Sequence, residues 1–147
     1  MLLGGYFGAW AAFDDVRDEP LDPVTMRERG LGFGCGVVSF SGPDTCGVAA
    51  TAEIMTYMAG ATAAQCGPCV YGLADIAQAV RRLADGTARD GDIDRICGWA
   101  AQVDGRGACH HPDGAIALLR SALRVFADDF ARHQARRRCL AGRAAVA

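Results

Sequence analysis

From residue 44 onward the apolar positions recur every three to four residues, the period of helices with one buried face. Val48, Ala52, Met55 and Ala59 fall on one face and predict a helix over about 45–59, capped by Asp44 or Thr45. Leu73, Ile76, Ala77, Val80 and Leu83 predict a second, starting near Gly67-Pro68 and ending before Gly86. Ile93, Ile96, Ala100 and Val103 predict a third after Asp90-Gly91-Asp92. The longest stripe (Ile116, Leu119, Leu123, Phe126, Phe130) predicts one unbroken helix over about 113–136. The segment 105–112 between the third and fourth is expected to be a loop. Four amphipathic helices with short links predict a mainly α chain built as an antiparallel four-helix bundle.

The first 44 residues break that pattern. Glycine-rich runs at 4–8 and 30–36 flank an acidic, proline-containing stretch expected to be a loop. Val37-Val38-Ser39-Phe40 suits a short strand, and Ser41-Gly42-Pro43-Asp44 a turn. No helix follows the second glycine run directly, as a dinucleotide-binding loop would require. The expected division is 1–44, a short β/loop segment forming the end of a small β-rich domain; 45–138, the helical domain; and 139–147, a disordered tail.

Composition narrows the function. Apolar residues make up 51% of the 147, enough for a real core, and the net charge of −2 argues against nucleic acid as a partner. All fifteen basic residues are arginine. The longest uncharged stretch, 54–74, could span a bilayer by length, but Gly60, Gln65, Gly67, Pro68 and Gly72 interrupt it, so no transmembrane helix is expected.

There are seven cysteines, and the start of the chain lacks the basic flank of a secretory signal. A cytoplasmic setting is expected, with the cysteines as reduced thiols, metal ligands or core residues rather than disulfides. Cys66 and Cys69 straddle a turn that opens a helix, where the positive end of the macrodipole favours thiolate. Cys109 lies in a glycine-containing loop, forty residues beyond Cys69. Two thiolates three residues apart can grip one cluster, and a third can close it from elsewhere. Iron–sulfur clusters are usually held by four such thiolates.

Two other chemistries compete. Cys-Gly-Pro-Cys is the dithiol motif of thioredoxin-like proteins, though in those it follows a strand. Three thiolates with His110 or His111 would also make a normal zinc set.

The stretch from the first helix through Cys109 to the fourth resembles the C-terminal iron–sulfur domain of the flavoprotein subunit of NADH–quinone oxidoreductase (respiratory complex I). That family carries Glu-Ser-Cys-Gly-x-Cys-x-Pro-Cys after a helix, with a fourth ligand cysteine about forty residues on. Here the run is Ala61-Thr62-Ala63-Ala64-Gln65-Cys66-Gly67-Pro68-Cys69, and Gly107-Ala108-Cys109 stands at the fourth position. Asp44-Thr45-Cys46 is similar to the family's helix start, where the cysteine is not a ligand. Gly4-Gly5-Tyr6-Phe7-Gly8 is similar to the end of the preceding β-rich domain.

The resemblance implies an electron relay with Cys66, Cys69 and Cys109 as ligands. It would pass electrons from a flavin to a downstream iron–sulfur protein. FMN and NADH would be bound by an upstream domain or partner subunit, not by this chain. Such a relay would lie in the cytoplasm, peripheral to the inner face of the membrane through its partners.

The first ligand position is Ala63, not cysteine, which leaves three outcomes. A [4Fe–4S] cluster could take a fourth ligand from water, Thr62, His110, His111 or Cys46. A [3Fe–4S] cluster could form. Or the site could have lost its cluster, leaving a structural assembly module. Cys35, Cys97 and Cys139 are expected to be packing or incidental residues, and Trp10 and Trp99 packing residues. Arg132, Arg136, Arg137 and Arg138 suit a solvated helix end.

Overall fold

The computed structural model describes residues 1–32, 34–42 and 44–136. The expected tail, together with Arg137, Arg138 and Cys139, lies outside the described residues.

The N-terminal part is a small antiparallel sheet. Its strands β1 (Leu2–Leu3), β2 (Ala9–Trp10) and β3 (Val38–Ser39) are ordered β2-β1-β3. The stretch expected to be a loop instead contains two short helices, α1 (Phe13–Val16) and α2 (Pro23–Glu28). Capping accounts for α2: the Asp22 carboxylate accepts the N–H groups of Val24 and Thr25, and Pro23 occupies the first helical position. Met26 of α2 packs with Leu3 and Ala11 in a small core of its own.

The helices that follow are α3 (Gly47–Gly60), α4 (Ala74–Ala84), α5 (Asp92–Val103), α6 (His111–Val125) and α7 (Ala127–Gln134). They enclose the main core, which includes Val48, Met55, Leu73, Ile76, Val80, Ile96, Ile116, Leu119 and Phe130. Neighbours run antiparallel. Glu53 of α3 pairs with Arg81 of α4, Gly72 just before α4 meets Val103 of α5, and His111 at the start of α6 bonds Met58 near the end of α3.

Two details differ from the pattern-based expectation. Neither Asp44 nor Thr45 caps α3; the cap is Cys46, whose sulfur accepts the N–H of Ala49 at 3.4 Å. The long fourth helix is broken at Phe126, whose backbone leaves helical values (φ −109°, ψ 29°). Its ring lies edge-on to Trp10 at 5.1 Å, against the face where Gly47 has no Cβ.

Trp10 joins the sheet to the bundle. Its backbone N–H donates to Ser121 Oγ of α6 at 2.8 Å, and that hydroxyl donates onward to the Leu118 carbonyl. Among the described residues no helix is long and apolar enough to cross a membrane.

Candidate functional site

Two helix starts meet at one end of the bundle, beside the C-terminus of α3. The chain leaves α3 at Gly60, crosses an irregular segment and enters a π-helical turn, Pro68–Leu73, that runs straight into α4. Cys66 stands just before this turn, and Cys69 lies within it, buried. Wide π turns of this kind are frequent at functional sites. Cys69 N–H and Val70 N–H both donate to the Cys66 carbonyl, which fixes the two cysteines relative to each other. The turn packs tightly on α5, for a Cβ on Gly72 would sit 2.3 Å from Val103 Cγ2. Cys109 comes from the loop that leads into α6, and it is exposed.

The three thiols sense one another. Hydrogen bonding from the backbone of Ala108, and then of Cys69, holds the Cys66 thiol below its usual pKa. Burial pushes Cys69 the other way, to about 11, and the charges of Cys66 and Cys109 add to the rise. A negative charge on a neighbouring thiol makes Cys69 harder to ionise, because like charges repel. A positively charged centre among them removes that repulsion, and both helix dipoles point their positive ends toward the same place. The donor set therefore fits a thiolate-ligated iron–sulfur cluster.

It does not fit a single ion. Among the described residues no three His, Cys, Asp or Glu side chains are arranged to hold one metal ion. In a cluster each thiolate holds a different iron, so that arrangement is not needed. The Cys66–Cys69 pair follows a helix and an irregular segment, not a strand, which removes the setting of a thioredoxin-like dithiol.

The residues around the missing thiolate are now placed. Ala63 is exposed, and its carbonyl accepts the side-chain amide of Gln65. Ala64, where the resembling motif has glycine, is held at φ +53°, a left-handed value that costs an L-residue about 1–2 kcal/mol. Thr62 is half-buried in the same segment.

His110 is fully exposed, with Nδ1 3.2 Å from Asp113 Oδ2. His111 is half-buried. Its Nε2 lies 2.9 Å from the Met58 carbonyl, and its ring is edge-on to Phe7 at 5.8 Å. Cys46 is at the opposite end of α3, 3.3 Å from His133 Nε2, and His133 Nδ1 bonds the Leu83 carbonyl. Cys35 and Cys97 are exposed, and the Cys35 thiol donates to the Gly4 carbonyl at 3.7 Å.

Other neighbours carry no clear mark in the sequence. Phe7 lies over the start of α6, in space open only because Gly114 lacks a Cβ, which would fall 2.1 Å from the ring. Tyr6 stands edge-on to Tyr57 of α3 at 5.2 Å. Behind the Cys66–Cys69 turn is an open cavity of about 430 Å³, lined by Tyr71, Asp75, Trp99, Gln102 and Arg106 among others.

Residues 49–133 match the family described as the NADH-ubiquinone oxidoreductase-F iron-sulfur binding region. The F subunit of NADH-quinone oxidoreductase in Streptomyces coelicolor is 26% identical over 126 residues, covering 86% of this chain and 28% of that protein. An F subunit of the same enzyme in Rhizobium meliloti is 28% identical over 119 residues, covering 81% of this chain and again 28% of the relative. The chain thus spans little more than a quarter of the length of these relatives.

Proposed function

The chain belongs to the NADH-ubiquinone oxidoreductase-F iron–sulfur binding family, and from that premise we propose that it is an electron-relay domain whose cluster is held by Cys66, Cys69 and Cys109. The observation that carries this reading is the convergence of these three thiols, from two helix starts, at one end of the bundle.

When bound, a cluster of this kind stores and releases single electrons at low energetic cost. The chain's own groups prepare the site. Backbone N–H groups of Ala108 and Cys69 stabilise negative charge on the Cys66 sulfur. Burial of Cys69 shields one corner from water, while exposed Cys109 leaves another near the surface, where a redox partner can approach.

On this reading electrons arrive from a flavin that has taken them from NADH. That flavin sits on an upstream domain or a partner subunit, and the electrons leave to a second iron–sulfur protein. The segment 1–44 is then part of a β-rich domain, and 45–138 is the cluster-binding domain. The assembly is peripheral to the inner face of the membrane through those partners.

The ligand set is tested by comparing Cys109→Ala with Cys97→Ala after anaerobic reconstitution. Cys97 is exposed on α5. Iron and sulfide per chain should fall severely in the Cys109 variant and stay near wild type in the Cys97 variant. Equal losses would contradict the assignment.

A further inference from the structure

We propose that Nε2 of His110 is the fourth ligand of the cluster, in place of the thiolate that Ala63 lacks. The inference rests on the reading that Cys66, Cys69 and Cys109 hold the other corners.

An alanine methyl group cannot bind iron, so a complete cubane must take its fourth donor from another side chain or from solvent. The structure separates the four side chains that could serve. Cys46 is at the far end of α3, a helix of 14 residues and so about 21 Å long, and its thiol faces His133. His111 is half-buried and fixed as a clamp: its Nε2 donates to the Met58 carbonyl and Phe7 packs on the ring, so turning its other nitrogen toward the thiols would break both contacts. Thr62 offers a neutral hydroxyl, a poor donor to iron beside thiolates.

His110 differs from all three. It directly follows Cys109, and the backbone of Ala108 already meets the Cys66 sulfur. Its Nδ1 faces the Asp113 carboxylate at 3.2 Å. A carboxylate only accepts, so Nδ1 carries the proton and the lone pair is left on Nε2. Asp113 is itself held, because its Oδ1 accepts the Gly105 N–H at 2.9 Å. A carboxylate behind the non-ligating nitrogen is the arrangement that fixes the tautomer of metal-binding histidines. The His110 side chain is fully exposed, so no packing contact holds the ring back, and Asp113 has to move with it for the bond to Nδ1 to survive when Nε2 meets the cluster.

A neutral imidazole in place of one thiolate leaves the cluster less negative, and the replacement of cysteine by histidine in such centres raises the potential. The Ala63 departure is then a retuning of the relay rather than a loss.

The test is pulsed EPR of the anaerobically reconstituted, reduced full chain, prepared with natural and with 15N-labelled histidine. The expected result is a directly coupled nitrogen whose signal changes with the label. It should persist in His111→Ala and vanish in His110→Ala. His110→Cys should keep the cluster and lower its potential.

A wild-type cluster without coupled histidine nitrogen would overturn the proposal, as would a coupling that survives His110→Ala or a three-iron signal in the oxidised protein. Wild-type protein that holds neither iron nor sulfide would overturn the underlying three-cysteine reading and this inference with it. Chemical analysis tells that case apart from failure of the ligand assignment alone.

Discussion

Removal of the Asp92 charge should cost the fold about 2 kcal/mol or more at neutral pH and almost nothing in acid. Asp92 is fully buried at the start of α5. Its oxygens accept Arg82 Nε at 3.1 Å, Arg82 Nη2 at 2.8 Å, Arg95 Nη1 at 3.1 Å and the Arg89 backbone N–H at 2.9 Å. Hydrogen bonds from Arg82 are the main cause that brings its pKa from 3.8 to about 2, with the Arg89 N–H, the Arg82 charge and Arg95 contributing.

At about 1.36 kcal/mol per unit this shift corresponds to about 2 kcal/mol of stability. The folded-state pKa is depressed, so the contribution is complete above the unfolded value near 4 and is lost as pH falls through about 2. Asp92→Asn keeps the shape but removes the charge, and it leaves Arg82 without the carboxylate that accepts its two hydrogen bonds. Breaking a buried pair from one side can cost about 3–5 kcal/mol, which sets the upper bound.

Urea denaturation of both proteins at a series of pH values reads the difference directly. The gap should be about 2–4 kcal/mol near pH 7 and should close toward about pH 2. A gap that does not change with pH, or one below about 0.5 kcal/mol at pH 7, would refute the reasoning.

Three further substitutions probe the frame around the cysteines. Gly72→Ala places a Cβ 2.3 Å from Val103 Cγ2 and should lower stability by about 1–3 kcal/mol; an unchanged urea midpoint would show that the π turn and α5 are not tightly packed. Ala64→Gly relieves the φ of +53° and should be neutral or stabilising by up to about 1 kcal/mol, and a loss of stability would mean that the left-handed conformation is not populated. Ser121→Ala removes the acceptor for the Trp10 backbone N–H and should cost about 1–3 kcal/mol in the same assay; no measurable change would mean that the link does not hold the sheet to α6.

The helices were legible because a buried stripe repeats through each of them. That signal names a face, not an end. The stripe of the fourth predicted helix runs on through Phe126, yet the helix breaks there, where the Phe126 ring finds Gly47 and Trp10 from distant parts of the chain. No local signal in the sequence could show that contact. The helices α1 and α2 are hidden for a different reason: prolines and charges suggest a loop, and only the Asp22-Pro23 pair, a cap and a first-turn proline, marks the start of α2.

At the site, the spacing of Cys66, Cys69 and Cys109 carried the chemistry. The π turn did not show, since its residues have the same apolar pattern as an α-helix. Nor did the separate fates of the two adjacent histidines. His111 becomes a clamp on α3 under Phe7 while His110 stays fully exposed with Asp113 behind it, and only their partners tell them apart.

The central question is whether this chain holds a cluster at all with only three of the family's thiolates. Iron and acid-labile sulfide content, measured with the EPR spectrum of the same anaerobically reconstituted wild-type chain, tests this most directly. A brown protein with about four irons and four sulfides per chain, and a reducible cluster signal, is the expected result. A colourless protein without iron or sulfide would contradict the relay and leave a helical module that no longer carries electrons.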